Sequence, residues 1–464
     1  MKKHNSFKVV MIVLLMLVLV SWFFPVTTIS GGEFVKGDYS RVGIFSLFSF
    51  FAIAIQYFSH VALYVISIGA LYGVLHKIPA YRKLLDKIVD GFSGFEYLFM
   101  AIIMVVFALL SSMAGLSLPI LLFFPFVISV ILMMGYDKIT AAMVTIGSVS
   151  AGMIGAVFST ESTSGVSYIL NLPANEQVLG RIILLVVSLV IVFLNVFLYS
   201  RKHRDTTNLV EEEFVPEKTK TKKSIWPIVI VLDLVMVVLG LAFFSWDLFG
   251  IDFFTKATDS LVNPNGSSFT NGLFTAFNAV LGITSGEQFG AWTLIEASVV
   301  VFLATGLLAI MYKQRINDYL TNMANGAKKA VKPALLVLLI YTVLVFTTNV
   351  PIQYTLTQWM MSIGGELNVI VMVFIAIIFL FLGVDSYYGT KSAVDFLTTV
   401  TGSTTTLALI WQTMYGYTML FVPTSLVLML TLSYLNISYG KWLKAVWPLL
   451  IELLAAIVLL LYIL

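Results

Sequence analysis

Two short polar strings decide how this chain folds: Ser159-Thr160-Glu161-Ser162-Thr163 and Pro423-Thr424-Ser425. Each interrupts a stretch that otherwise reads as membrane-spanning. Backbone that leaves the helix at bilayer depth exposes amide and carbonyl groups. It persists only where protein or a water-filled cavity covers it. Two such breaks in corresponding halves of one chain point to the binding site of a transporter.

The surrounding composition sets the fold class. The chain has 464 residues, of which 59% are hydrophobic and 11% charged, and its mean hydropathy is +0.98. Soluble domains average about 25% charged residues. The apolar runs are continuous and about twenty residues long, not the short alternating segments of a barrel. An all-α polytopic membrane protein is expected. Its formal net charge of +3 gives no case for nucleic acid.

Several function classes drop out. The chain has no Cys, which excludes disulfides, thiolate metal sites and cysteine nucleophiles. Its histidines, His4, His60, His76 and His203, show no paired metal spacing. With no nucleophile elbow and no P-loop, neither an enzyme nor a single-chain ATP-driven pump is supported. The N-terminal Met1-Lys2-Lys3 and apolar Val9–Val20 mimic a signal peptide, but bulky Ser21-Trp22-Phe23-Phe24-Pro25 offers no cleavage pattern. A retained first span is expected.

Nine spans are read at 9–25, 44–75, 138–158, 180–199, 225–245, 291–311, 333–349, 405–430 and 446–464. Stretch 44–75 is too long for one perpendicular crossing, so Ile44–Tyr57 is expected at the interface or steeply tilted. Basic residues orient the spans. Lys2, Lys3 and Lys8 put the N-terminus in the cytoplasm of a cell-membrane protein. Lys77, Arg82, Lys83 and Lys87 mark the next cytoplasmic loop. Arg201, Lys202, Arg204, Lys220, Lys222 and Lys223 mark the central one, and Lys313, Arg315, Lys328, Lys329 and Lys332 another. The C-terminus then lies outside. The loop 246–290, with Asp247, Asp252, Asp259 and Glu287 against Lys256, is read as external.

Two apolar stretches read as re-entrant hairpins. Residues 95–134 turn at the small, uncharged tip Ser112-Met113-Ala114-Gly115-Leu116-Ser117-Leu118-Pro119, and 367–404 turn at Asp385-Ser386-Tyr387-Tyr388-Gly389. The order span, span, surface helix, hairpin, broken span, span then appears in 1–199 and, inverted, in 291–464. Within it, the broken helices cover 138–165 and 405–430. A polar cytoplasmic linker at 200–224 and a connecting span with its external loop at 225–290 join the halves. Stretches 80–90, 314–330 and 350–365 read as surface helices.

Several strings carry a family resemblance. They are Ile68-Gly69-Ala70-Leu71-Tyr72-Gly73-Val74-Leu75 with Ala80-Tyr81-Arg82-Lys83-Leu84-Leu85-Asp86-Lys87-Ile88, and Met134-Gly135-Tyr136-Asp137-Lys138-Ile139-Thr140. Further along come Phe421-Val422-Pro423-Thr424-Ser425 and Tyr439-Gly440-Lys441-Trp442-Leu443-Lys444 before Trp447-Pro448-Leu449. In this order they resemble the YfcC/DcuC-like carriers of the ion transporter superfamily, which include four-carbon-dicarboxylate carriers and basic-amino-acid antiporters. The p-aminobenzoyl-glutamate transporters are more distant relatives. The resemblance implies a scaffold domain and a transport domain with two hairpins and two broken helices. It also implies elevator-type alternating access, a sodium or proton gradient as driver, and often a homodimer. Two features depart from those relatives: Glu161 stands where they carry an uncharged residue, and the second tip has Asp385, Tyr387 and Tyr388 with no Pro.

The chemistry of the candidate site follows from its donors. Carbonyls and hydroxyls at a helix break suit a small hard cation such as sodium, and half-helix N-termini favour a carboxylate. Ser159, Thr160, Ser162 and Thr163 are expected to meet Ser112, Gly115 and Ser117 of the first tip. Thr424 and Ser425 are expected to meet Asp385, Ser386 and Gly389 of the second. Glu161 and Asp385 are the leading ionisable candidates, because a charge at a helix centre costs about 2.5–3.5 kcal/mol on insertion scales. Gln412 lines the approach with Tyr415 and Tyr417. Lys391 and Asp395 are expected to pair, and Asp233 and Glu296 to serve scaffold packing, dimer contacts or the interface. No Arg is expected near either break. The substrate is expected to be a small polar metabolite: an amino acid, a short peptide or a four-carbon dicarboxylate. No cofactor is expected beyond a coupling ion. The alternative is an ion channel, which sustained single-channel conductance would reveal.

Overall fold

The computed structural model describes residues 5–173, 176–204, 214–218, 221–262, 287–364, 368–400 and 404–464. The first half contains α1 (Asn5–Phe23), α2 (Ile44–Leu75), α3 (Pro79–Gly91), α4 (Glu96–Ala114) and α5 (Phe124–Met133). It continues with α6 (Lys138–Ile154), α7 (Thr160–Ile169) and α8 (Val178–Lys202). The connection carries α9 (Trp226–Phe243) and α10 (Phe253–Val262). The second half contains α11 (Leu294–Met311), α12 (Ile316–Asn349), α13 (Ile352–Gly364) and α14 (Val369–Gly383). Short α15 (Ser386–Lys391) and α16 (Val394–Leu397) follow, then α17 (Thr404–Thr418), α18 (Leu426–Leu435) and α19 (Tyr439–Ile463).

The protein is an all-α polytopic membrane protein. Among the described residues, α1, α2, α4, α8, α9, α11, α12 and α19 are long and apolar enough to cross a bilayer. Their outer faces match that solvent. Along α8, Ile182, Val186, Val190 and Leu194 point outward, while Leu184, Ser188 and Val192 are buried.

Helices from the first and second halves of the chain run antiparallel where they touch. Phe50 of α2 packs edge-on against Phe346 of α12, and Gly73 meets Asn322 and Gly326 at the other end. Gly180 of α8 meets Leu464 after α19, and Asn195 donates to Glu452 at 2.6 Å. The α2–α12 crossing depends on small residues, as membrane helix contacts commonly do. A Cβ on Gly326 would stand 2.1 Å from the Gly69 carbonyl oxygen, and one on Gly73 only 2.4 Å from that of Asn322.

The helix bounds correct several expectations. Segment 44–75 is one uninterrupted helix. The expected surface helix 314–330 and span 333–349 are fused in the 34-residue α12, with Pro333 inside it. A proline removes one backbone bond, but close packing on α2 carries the helix through. The stretches 138–165 and 405–430, expected as broken helices, are each two helices. Gly155–Ser159 separates α6 from α7, and Met419–Ser425 separates α17 from α18. The polar strings therefore end the breaks and start the second half-helices.

A strand pair, β1 (Thr27–Ser30) and β2 (Glu33–Lys36), was not anticipated. Its signal was present in Gly31-Gly32, whose φ of +61° and +86° suits a tight hairpin turn. The central linker is not wholly polar surface. Phe214 and Val215 are buried, with the Phe214 carbonyl accepting from Ser129 and its ring lying beneath Lys138. Residues 205–213 and Lys220 of the linker, 263–286 of the 246–290 loop and 401–403 at the end of the 367–404 stretch fall outside the described residues.

Candidate functional site

The first hairpin turns at Gly115, the left-handed residue (φ +68°) that ends α4. A Cβ there would stand 3.0 Å from Ser159 Oγ and 3.2 Å from Glu161 Cβ, so the tip presses against the first break. Ser112 stitches the two together. Its hydroxyl donates to the Gly155 carbonyl at 2.7 Å and accepts from the Val157 N–H at 3.1 Å. Its own carbonyl accepts from the Phe158 and Ser159 amides at 3.1 and 2.9 Å. One serine thus satisfies much of the backbone that the break exposes.

Glu161 stands at the centre of this half. Its Oε1 accepts from Ser117 Oγ at 2.6 Å and from Tyr415 OH at 3.0 Å. Ser117 comes from the first tip and Tyr415 from α17, so the two halves of the chain converge on one carboxyl. Thr163 Oγ1 donates to the Ser159 carbonyl at 2.7 Å. The oxygens of Ser159, Ser162, Thr413 and Gln412 (Oε1) are buried without a partner in the protein, while Gln412 Nε2 donates to the Ile154 carbonyl at 3.3 Å. The Thr160 side chain falls outside the described ones.

The second hairpin turns more sharply. Val384 has φ +69° and ψ −49°, and the Asp385 N–H donates to the Gly383 carbonyl at 2.8 Å. That is a γ-turn of the positive-φ kind, which is strained, above all for a β-branched residue. Gly383 and Gly389 let the limbs close, since a Cβ on Gly383 would lie 2.2 Å from Gly389 Cα. Asp385 caps α15, its Oδ1 accepting from the Tyr388 N–H at 2.9 Å and its Oδ2 from Tyr341 OH at 3.3 Å. Ser386 is buried beside it.

The second break is satisfied internally. Thr424 Oγ1 donates to the Phe381 carbonyl of the second hairpin at 2.6 Å. Trp442 and Tyr439 of α19 donate to the Leu420 and Phe421 carbonyls. Ser425 caps α18 by accepting from the Leu428 N–H at 3.3 Å.

Between the tips lies a small space of about 20 Å³ lined by Ser117, Asp385, Tyr415, Thr418, Thr424 and Ser425 among others. That admits about one ion or water and no organic substrate. A separate cavity of about 1060 Å³ lies between α2 and α12 on one side and α5 and α18 on the other. Lys77, Arg82, Lys328, Lys329 and Lys332 line it together with Glu217 and His76. Burial, with Lys329 and Lys77 nearby, pushes the His76 imidazole down to about 4, which keeps it neutral. Tyr64 and Tyr72 of α2 reach the first hairpin from this side, donating to the Pro119 and Leu122 carbonyls.

Other expectations change. Arg181 is buried beside the first break and donates to the Val157 carbonyl at 3.3 Å, so an Arg does stand there. It lies on the neighbouring α8, where proximity in sequence gave no warning. Lys391 and Asp395 do not pair: Lys391 sits over the Tyr387 ring, and Asp395 accepts from Tyr354 OH at 3.3 Å. Glu296 caps the start of α11 through Thr293. Asp233 is exposed on the outer face of α9. Tyr341, Tyr415, Thr413 and Ser112's stitching role are the additions that sequence reading missed or underweighted.

Helix breaks and hairpin tips that converge on enclosed carboxyls, within a polytopic helical protein, define a membrane carrier. The chain matches the family model for DcuC, the C4-dicarboxylate anaerobic carrier, over residues 4–464 and belongs to that family. No curated protein matches it. Two solved structures resemble it distantly. The YdaH transporter of Alcanivorax borkumensis is 15% identical, covers 99% of this chain and 97% of its own, and has a TM-score of 0.40. MtrF of Neisseria gonorrhoeae, described as illuminating a class of antimetabolite efflux pumps, is 12% identical with 99% and 94% coverage and a TM-score of 0.42.

Proposed function

We propose that this protein is a cation-coupled secondary carrier for a small organic acid of the four-carbon-dicarboxylate class, working by elevator-type alternating access. The observation that carries this reading is Glu161, a carboxyl bonded from both halves of the chain, with the buried and partnerless hydroxyls of Ser159 and Ser162 flanking it in sequence. A buried carboxylate needs a compensating cation, either a bound proton or a metal ion such as sodium. Oxygen ligands without protein partners suit a dehydrated cation. That bound charge, with the half-helix N-termini of α7 and α18, would then hold a substrate carboxylate.

The family description supports the substrate class. The two acids and the lack of a base lining the small space favour a second reading, a zwitterionic amino acid. The remaining parts of the proposal are the inverted repeat of 1–199 and 291–464, with re-entrant hairpins at 95–134 and 367–404. The basic face would be cytoplasmic, with the N-terminus inside and the C-terminus outside. The protein would form a homodimer in the cell membrane. Exposed Asp233, flanked on α9 by outward Ile230, Leu234 and Val237, supports a contact with a second copy there, since a lipid-facing carboxylate is costly.

The test is uptake of radiolabelled succinate, and separately of lysine and glutamate, by purified protein in proteoliposomes. Sodium and proton gradients are imposed one at a time. Succinate uptake that follows one of these gradients supports the proposal. Uptake of an amino acid alone selects the second reading, and gradient-independent flux of all three contradicts coupling.

A further inference from the structure

The large cavity between α2 and α12 on one side and α5 and α18 on the other takes no part in the site at the breaks. At about 1060 Å³ it reaches the size of pockets that hold drug-sized ligands, roughly 300–1,000 Å³. Its lining is of two kinds. Ile68, Leu121, Ile128 and Leu430 give it an apolar wall. Exposed Lys77, Lys328, Lys329 and Lys332 give it a cationic one, and Glu217 is the acid among its described lining residues. Arg82 is already engaged, donating to Asp86 at 2.9 Å and to the Pro216 carbonyl at 3.0 Å. Lys77, Lys328 and Lys329 form no ion pair among the described residues. Ile78 and Pro79 bring the start of α3, which no side chain caps, to the same wall. Its first amides add to the attraction for an anion.

The lysines stand at a particular depth. Lys77 follows the apolar end of α2 by two residues. On α12, Lys328, Lys329 and Lys332 precede Pro333, and no charged residue occurs from there to Asn349. Val331 and Leu335, beside Lys332, are exposed and apolar. Both sets of ammonium groups therefore lie where apolar spans give way to water, the level of lipid phosphates. Basic pockets between membrane helices at that level suit anionic headgroups. Lysine binds a phosphate as a point charge and needs no planar, two-pronged fit.

We propose that this cavity binds a phosphate group carried on an apolar body, the chemistry of an anionic phospholipid. Lys77, Lys328 and Lys329 hold the phosphate, and the wall of Ile68, Leu121, Ile128 and Leu430 receives the apolar part. The occupant touches α2 and α12 on one side and α5 and α18 on the other. Headgroup depth favours the lipid as its source, although a soluble phosphate ester carries the same group. The site is separate from the helix breaks, so failure of gradient-driven uptake would leave it standing.

The chain has no cysteine, so Ser433→Cys, on the α18 side of the cavity, supplies a single reporter. Asp90→Cys, exposed on α3 and outside the cavity, corrects for surface pH and reagent access. The measurement is the rate of N-ethylmaleimide labelling of the full chain in phosphatidylcholine vesicles, with and without phosphatidylglycerol. Phosphatidylglycerol is expected to slow labelling of Ser433→Cys about tenfold relative to Asp90→Cys, as for a site about nine-tenths occupied. Lys77→Gln and Lys329→Gln should each raise the lipid fraction needed for half protection about fivefold, the share of one lysine near an anionic headgroup. Both lysines are exposed, so neither change threatens the fold. If Ser433→Cys labels too slowly to follow, Asn325→Cys on the α12 side is the second reporter. A parallel arm adds glycerol phosphate, or succinate, to vesicles of phosphatidylcholine alone. Protection by phosphatidylglycerol alone supports the site with a lipid as its source, and protection by glycerol phosphate as well supports it with a soluble source. Labelling that neither one slows overturns the proposal. So does protection that survives Lys77→Gln and Lys329→Gln together at the same lipid fraction. Succinate that protects as strongly as glycerol phosphate also overturns it, and marks the cavity as a vestibule for carboxylates instead.

Discussion

The two breaks are built for different work. In the first, Ser112 supplies most of the backbone bonds, and the hydroxyls of Ser159 and Ser162 are left over. In the second, Thr424, Ser425, Tyr439 and Trp442 are all consumed in holding the break. None of the second break's hydroxyls is left without a partner among the described residues. Buried polar atoms without partners are costly unless something else satisfies them. The difference teaches that similar polar strings in sequence can leave hydroxyls without partners at one break and consume them at the other.

Substitutions sharpen this contrast. Ser112→Ala should have the largest effect. It removes both side-chain bonds that hold Gly155 and Val157, at about 1–3 kcal/mol for each group left unsatisfied. Transport should fall to background, and the melting temperature should drop clearly in a thermal-shift assay. Gly115→Ala comes next. A left-handed backbone costs a residue with a Cβ about 1–2 kcal/mol, and the added carbon crowds Ser159. Uptake should fall by about tenfold with the protein still folded by circular dichroism.

Ser159→Ala and Ser162→Ala should each weaken the cation half-saturation of uptake by about fivefold, the equivalent of one neutral contact. Each should leave stability unchanged or raised, because a buried hydroxyl without a protein partner is being removed. Thr424→Ala should show the smallest functional change. It loses one bond and about 1 kcal/mol of stability, while its cation dependence stays that of the parent. If Thr424→Ala shifts cation affinity more than Ser159→Ala does, the division between the breaks is wrong.

How much of this was legible depended on the distance over which each residue acts. Apolar runs, the Gly115 tip and the polar strings announce themselves within one segment, so the helical membrane fold and the meeting of the first tip with the first break were legible, whereas the Ser117 bond to Glu161 was not. Arg181 reaches the site from the next helix and Tyr341 from one remote in sequence, and no local spacing marks either. The exact break positions were missed because Ser159 and Ser425 begin half-helices, and a helix start looks like an interruption in an apolar run. Pro333 misled in the other direction. Its local penalty is real, but tertiary packing of α12 on α2 outweighs it. Val384 gave no warning at all, because nothing in its residue type favours a positive φ.

The most direct test of the account is gradient-driven uptake by Glu161→Gln beside the parent protein in matched proteoliposomes. The amide keeps the shape and can still accept from Ser117 and Tyr415, but it can bind neither a proton at this pH nor a metal ion with the same charge. The account predicts that uptake loses its response to the sodium or proton gradient while the protein remains folded. A Glu161→Gln carrier driven as strongly by the same gradient as the parent would contradict it.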